Sequence, residues 1–180
     1  RRIARETLEI YAPIAHRLGM NRIKAELQDM GFRAMHPLRH KVISKRIASK
    51  PVMRREAMAT LEAKISQRLA QEGLSFRLVS RVKAPWSIYQ KMLLENKSFD
   101  QVMDVFGFRL VVPKLMQCYL ALGAVHSIFK PLDARFRDFI AIPKANGYQS
   151  LHTVLFGTYG TPVEVQIRTE DMDVIAERGI

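Results

Sequence analysis

The stretch Val163-Glu164-Val165-Gln166-Ile167-Arg168 alternates apolar and polar side chains at every step. That is the period of a β-strand with one face in a core and the other turned to solvent or ligand. Val163, Val165 and Ile167 take the core side; Glu164, Gln166 and Arg168 take the other. Just upstream, the run 153–156 is a second strand, and the turn-forming residues 157–162 between them make the pair an antiparallel hairpin. Working backwards, 139–142 and 105–112 are apolar enough for strands. Residues 76–83 alternate so that Arg77, Val79, Arg81 and Lys83 share one face.

Helical patterns fall between these strands. Pro85 opens a helix over 86–94, residues 99–103 make a short helical turn, 114–129 is a longer helix, and 171–178 a last one. About five strands with intervening helices define an α/β (α+β) domain, a mixed sheet in which the earlier crossovers suit parallel neighbours. Before Gly73 the chain is all helical. Apolar residues recur at three- and four-residue steps over 2–31, with a break near Gly19. A second helix has Asn21 as N-cap and ends at Gly31, and the pattern resumes over 37–73.

The 180 residues, 48% of them hydrophobic, suffice for a packed core, and the formal net charge of +12 attracts polyanions. Most of the positive excess lies in residues 1–60, as solvated helix faces packed on a neighbour or as a nucleic-acid patch. The former is preferred. One cysteine, Cys118, excludes an internal disulfide framework, and no Cys/His cluster has zinc spacing, so a reducing cytoplasm is the default. No apolar run reaches the roughly 20 residues that span a bilayer, so no membrane partner is implied. Both ends fall within a pattern, which suggests a segment of a longer protein.

Two clusters carry chemistry. The first is Arg135-Phe136-Arg137-Asp138 followed by Ile142-Pro-Lys144-Ala-Asn146-Gly147-Tyr148-Gln-Ser-Leu-His152. Arg135, Arg137 and Lys144 can meet phosphate charge, Asn146-Gly147 allows a tight turn, and Tyr148 offers a π-face to a base or simple loop packing. His152, after such a loop, is a structural histidine or a hydrogen-bonding partner for a phosphate or ribose. The second is Arg81-Val-Lys83, where Lys83 leaves its strand beside a helix N-terminus carrying Ser87 and Lys91 on one face. This is a polyphosphate cradle or ordinary surface charge. Asp104 heads an apolar strand, and with Glu164 it could converge on Mg²⁺, an ion that takes few carboxylates and completes its shell with phosphate oxygens and water. His16, His36, His40 and His126 read as structural.

In this order the blocks resemble the synthetase domain of the RelA/SpoT family. The matching text is Tyr11-Ala-Pro-Ile-Ala-His-Arg-Leu-Gly19 with 24–32, Arg81-x-Lys83 to Met92, Asp104 to Arg109, Arg135-Phe-x-Asp138, Pro143 to His152, and Glu164-Val-Gln-Ile-Arg-Thr169. The resemblance implies a nucleotidyltransferase-like mixed sheet flanked by helices. It also implies transfer of the β,γ-diphosphate of ATP to the 3′-hydroxyl of GTP or GDP, making (p)ppGpp and AMP. It would place Arg81 and Arg109 about adenine and Lys83, Ser87 and Lys91 on the ATP phosphates. Asp104 would hold Mg²⁺ (Mn²⁺ as a substitute), and Glu164 would share the metal or take the 3′-hydroxyl proton. Tyr148 would stack on guanine, Asn146 and Gln166 would orient the nucleoside, and Arg135, Arg137, Lys144 and His152 would meet acceptor phosphates.

By the same resemblance, residues 1–35 are the last helices of an upstream hydrolase-like domain, 36–73 a helical connector, and 74–180 the catalytic core. The upstream hydrolase domain and downstream regulatory regions would be its partners in the full protein. Arg137 replaces a usual lysine, Ser80 a usual glycine, and Ala84-Pro85-Trp86 is atypical and would stiffen the ATP loop. Two other readings stay open: a weakly active or regulatory synthetase-like domain of a mainly hydrolytic SpoT-like protein, and a basic RNA-binding module.

Overall fold

The computed structural model describes residues 1–49, 52–99, 102, 105–157 and 162–178, with 52–55 as backbone only. The first helical stretch is continuous through three parts: α1 (Arg2–Glu6), a π-helical turn (Thr7–Tyr11) and α2 (Ala12–Arg17). Pro13 accounts for the wide turn. It has no N–H for the carbonyl four residues back and its ring crowds that carbonyl, so the preceding turn opens and Ala12 N–H bonds Thr7 O instead. Gly19, with φ 71°, ends the stretch.

α3 (Asn21–Met35) differs from expectation at both ends. Asn21 makes no cap; its side-chain amide donates to the carbonyl of Ala176, 2.7 Å away. Gly31 does not stop the helix but is buried in its middle, where a Cβ would lie 2.6 Å from Leu8 Cγ. The glycine therefore serves helix contact rather than termination. α4 (Pro37–Ala48) and α5 (Val52–Gln71) follow.

The sheet contains β1 (Arg77–Val82), β2 (Phe106–Val112), β3 (Arg137–Asp138), β4 (Leu151–Phe156) and β5 (Pro162–Thr169), in the order β1-β2-β5-β4-β3. α6 (Pro85–Leu94), α7 (Leu115–Ile128), a 3₁₀ turn (Asp133–Arg135) and α8 (Glu170–Arg178) complete the chain. The β4–β5 hairpin forms as the turn chemistry predicts, and β2 runs parallel to β5.

Two expectations fail. β1 and β2 are antiparallel in spite of the helix between them. A parallel crossover must lay its helix over a sheet face, whereas α6 buries Ile88 in a separate core with Phe32, Ile43, Phe99 and Phe106. The segment 139–142 is a turn, not a strand. Asp138 Oδ1 accepts the backbone N–H groups of Ile140 and Ala141 at 2.9 and 2.8 Å, and Tyr119 donates to Oδ2 at 2.9 Å, so the carboxylate bends the chain where apolarity suggested extension.

α5 and α7 cover one sheet face. Leu61, Ile65 and Leu69, with Cys118, Ala121 and Val125, pack on Phe108, Leu110, Leu151, Leu155, Val163, Val165 and Ile167. Burial pushes the Cys118 thiol up to about 11, so it is an inert core group. The opposite face carries the polar half of the β5 alternation. α3 borders it by packing Phe32 against Trp86 and Tyr89 of α6, with ring centroids 5.2 and 4.9 Å apart. The unusual Ala84-Pro85-Trp86 entry thus ties α6 to the helical segment.

The Gly31 contact predicts that Gly31→Ala lowers unfolding free energy by about 1–3 kcal/mol, as overpacking does. Adding Leu8→Ala should recover part of that loss in a urea-denaturation double-mutant cycle. Additivity of the two changes would show that Gly31 does not act through Leu8.

Candidate active site

Residues paired across neighbouring strands point to the same face, so the register lays out the polar surface in rows. One row runs Arg81, Gly107, Glu164, Val154; the next runs Val79, Arg109, Gln166, His152, Arg137. At Gly107 the two strands leave no room for a side chain, since a Cβ there would run into the carbonyl oxygen of Glu164. The gap it leaves lets Arg81 Nη1 reach across to Glu164 Oε2 at 3.4 Å.

Above these rows is a cleft of about 630 Å³ between the sheet and α2–α3. It gathers Arg81, Lys83, Ser87, Arg109, Lys144, Asn146, Tyr148, His152, Glu164 and Gln166 from the sequence-predicted set. Lys91 and Arg135 line a smaller neighbouring recess with Glu95 and Lys97. Val154 lies two residues after His152 and Pro162 two residues before Glu164, so the recess continues the same sheet face. Arg137 is exposed, its guanidinium donating to the carbonyls of Ala134 and Phe136 at 3.2 and 2.6 Å. Asp104 lies outside the described residues.

Hydrogen bonds and one longer polar contact fix the floor. Arg168 Nη2 donates to the Tyr148 hydroxyl at 3.0 Å, Tyr148 faces His152 Nε2 at 2.7 Å, and His152 Nδ1 lies 3.7 Å from Glu164 Oε1. The direction follows from the donors. Since Arg168 can only donate, the Tyr148 proton goes to Nε2, and the His152 proton sits on Nδ1, toward the carboxylate. Arg168 Nη2 also donates to Gln166 Oε1 at 2.6 Å, and Gln166 Nε2 donates on to Glu164 Oε2 at 3.4 Å.

His152 is held neutral, its pKa pushed down to about 3 by burial and then by Lys144, Arg168, Arg81 and Lys83. It therefore contributes hydrogen bonds and no charge. Tyr148 is raised, mainly by burial. Its ring has the Lys144 ammonium 5.1 Å and the Arg168 guanidinium 5.2 Å from its centroid. Arg168 is only 1% exposed, whereas Lys144 is exposed and can leave the ring to a planar guest.

Several participants escaped sequence reasoning. Arg168 looked like one more polar residue on an alternating strand, yet it also binds Asp173 Oδ1 at 3.4 Å, and its Nε is buried with no partner among the described residues. Burial more than neighbouring charge lowers its pKa. Asp173 holds Arg77 at 3.1 Å and Arg109 at 3.5 Å as well, so one carboxylate of α8 gathers three guanidinium groups. Arg109 further donates to Glu177 at 2.6 Å. His16, Asn21 and Lys24 enter from the helical segment. The His16 carbonyl accepts from Asn146 Nδ2 at 3.0 Å, and Gly147, with φ 73°, turns the chain just beyond. The matching motif over 11–32 was the sequence signal available for these residues, but it carried no role.

Glu164 shares the cleft lining with Glu26 and Glu177, but among the described residues no group of three His, Cys, Asp or Glu could hold an ion. Such a floor suits an ion that draws most of its oxygens from phosphate and water.

The mixed sheet and its flanking helices are a nucleotidyltransferase-like fold, shared with small alarmone synthetases. That from Bacillus subtilis bound to its product pppGpp matches with TM-score 0.55 and 26% identity over 69% of this chain and 73% of that one. Residues 80–180 match the family model described as a region found in RelA / SpoT proteins, and the chain belongs to that family. It is 51% identical over its whole length to a guanosine-3′,5′-bis(diphosphate) 3′-pyrophosphohydrolase of Vibrio cholerae and 50% identical to the bifunctional (p)ppGpp synthase/hydrolase SpoT of Escherichia coli. A bifunctional (p)ppGpp synthase/hydrolase RelA of Mycobacterium tuberculosis is 44% identical over 99% of the chain. The chain spans about a quarter of the length of these relatives. No described helix is long and apolar enough to cross a membrane.

Two outcomes follow from this network. The unfolded chain binds a proton at His152 near pH 6.5 that the fold refuses until about pH 3. Stability should therefore be full above the former value and fall as pH drops through that window, by at most about 1.4 kcal/mol per pH unit from this group. His152→Asn should show a smaller loss between pH 7.5 and 5 in urea titrations; an unchanged pH dependence would refute the assignment. Arg168→Lys keeps the charge but cannot reach three acceptors, and should cost about 2–4 kcal/mol. A loss under about 0.5 kcal/mol, the scale of a surface change, would mean that the network is not structural.

Proposed function

We propose that this segment is a Mg²⁺-dependent GTP/GDP 3′-diphosphokinase, moving the β,γ-diphosphate of ATP to the 3′-hydroxyl of GTP or GDP and releasing AMP. The observation that carries this reading is the Glu164 carboxylate on the floor of one cleft that also holds Arg81, Lys83, Ser87 and Arg109 on one side and Lys144, Asn146 and Tyr148 on the other. Phosphoryl transfer needs positioning and charge neutralisation more than covalent help from the protein. Such a cleft provides both.

On the donor side, Lys83, Ser87 and the free amides at the α6 N-terminus bind phosphate oxygens, with Lys91 one turn further along, while Arg81 and Arg109 flank adenine. On the acceptor side guanine takes the Tyr148 face that Lys144 covers, and the displaced ammonium turns to phosphate. Asn146 and Gln166 orient the nucleoside, and neutral His152 fixes Tyr148. Arg135 and Arg137 would reach acceptor phosphates only by leaving the positions described above. The 3′-oxygen attacks the β-phosphorus, its proton passes to Glu164, and the bond from the β-phosphorus to the α–β bridging oxygen breaks to leave AMP. Mg²⁺ or Mn²⁺ held by Glu164 and Asp104 would neutralise charge on the transferred group.

A second reading has its own support, because relatives such as that of V. cholerae are named as hydrolases. In it, this segment is a weakly active or regulatory part of a mainly hydrolytic cytoplasmic protein with an upstream hydrolase domain and downstream regulatory regions. Incubation with ATP, GDP and Mg²⁺ separates the two. The first predicts AMP and ppGpp in equal amounts and loss of about 10²-fold or more in rate for Glu164→Gln; product no greater than that of the variant selects the second. An RNA-binding module would instead show RNA affinity that falls steeply with salt and survives Glu164→Gln.

A further inference from the structure

Lys24 projects from α3 into the wall of the cleft opposite the sheet. It is half-buried, and its Nζ lies 3.4 Å from His16 Nδ1. Lys144 stands close enough to lower the pKa of both Lys24 and His16, although burial is the larger cause for each. Among the described residues neither lysine has a carboxylate within ion-pair distance. The acidic group nearest along the helix, Glu26, is taken by Arg22 at 3.2 Å. Two ammonium groups and an imidazole therefore share the cleft with no described carboxylate paired to either lysine, and desolvation without compensation is unfavourable. The arrangement is held in place. Asn146 Nδ2 bonds the His16 carbonyl at 3.0 Å and Asn21 bonds Ala176 at 2.7 Å, so α2–α3 is pinned to both the Lys144 loop and α8.

We propose that Lys24, with Lys144 and the His16 ring, forms a phosphate subsite at the cleft mouth that takes a phosphate of the acceptor guanosine nucleotide. The helical segment then contributes a ligand to a site otherwise built by the α/β domain. This rests on the acceptor assignment made above for Lys144, Asn146 and Tyr148. It also gives the Lys144 ammonium a destination when guanine displaces it from the Tyr148 ring.

The test is calorimetric titration of the full-length protein with GDP, guanosine and a non-hydrolysable ATP analogue. Lys24→Gln should weaken GDP by about fivefold or more, the scale of one charge-assisted phosphate contact, and change guanosine and the ATP analogue by less than about twofold. Lys24→Arg should restore GDP. Unaltered GDP affinity, an equal loss for guanosine, or a loss confined to the ATP analogue would each overturn the subsite. Absence of GDP binding in the unmutated protein would instead bring down the acceptor assignment itself, and this proposal with it. A measurement without a variant guards against misfolding: GDP, and not guanosine, should slow acetylation of Lys24 in the unmutated protein, and equal rates with both would also refute the proposal.

Discussion

Arg168 is a guanidinium with 1% exposure beneath the polar face of a five-stranded sheet, and its fork geometry organises everything above it. Burying a cation is costly unless its donors find partners, and here Nη1 and Nη2 reach Tyr148, Gln166 and Asp173 while Nε has no partner among the described residues. Those three acceptors belong to a loop, a strand and a helix, Tyr148 being 20 residues from Arg168 in the chain. Through Tyr148 and His152 the constraint reaches one oxygen of Glu164, and through Gln166 it reaches the other. Through Asp173 it anchors α8 and gathers Arg77 and Arg109 at the sheet edge. The Glu164 carboxylate is thus positioned by a buried residue of the same cleft lining.

The helical segment is bound into the same structure rather than appended to it. α2 touches the Asn146 loop, and α3 touches α8 at its beginning and α6 at its end, the last through the stacked rings of Phe32 and Tyr89. The helical segment therefore runs along the cleft from the Asn146 loop to α6. The close approach of Leu8 to Gly31 ties α3 to the π-helical turn, so a displacement of the first helix would be felt along the whole wall. Such a wall contributes side chains as well as enclosure, which is why Lys24 and His16 appear among groups otherwise drawn from the sheet.

The parallel pairing of β2 with β5 decides how close the two halves come. Gly107 beside Glu164 removes the side chain that would separate Arg81 from the carboxylate. The pairing of β1 with β2 depends on something nonlocal, the preference of α6 for a second core under α3 and α4. A helix between two strands ordinarily signals a parallel crossover; that signal loses meaning when the helix packs beyond the sheet.

Local alternation and punctuation were enough to determine the β4–β5 hairpin, the helices opened by Pro37 and Pro85, the sorting of Val163, Val165 and Ile167 from Glu164, Gln166 and Arg168, and the residue types that line the cleft. These are decided by chain geometry within a few residues, where period and proline stereochemistry act without reference to the rest of the molecule. Only the tertiary structure decided that Gly31 is a contact and not a stop, that 139–142 turns on the Asp138 carboxylate, that Arg135 and Lys91 line a recess apart from the Glu164 cleft, and that Arg168 is the buried hub. Each of those outcomes depends on which distant atom fills the space beside a residue. Burial and hydrogen-bond satisfaction, which set the cost of every polar group in the site, are properties of that company and not of the sequence position.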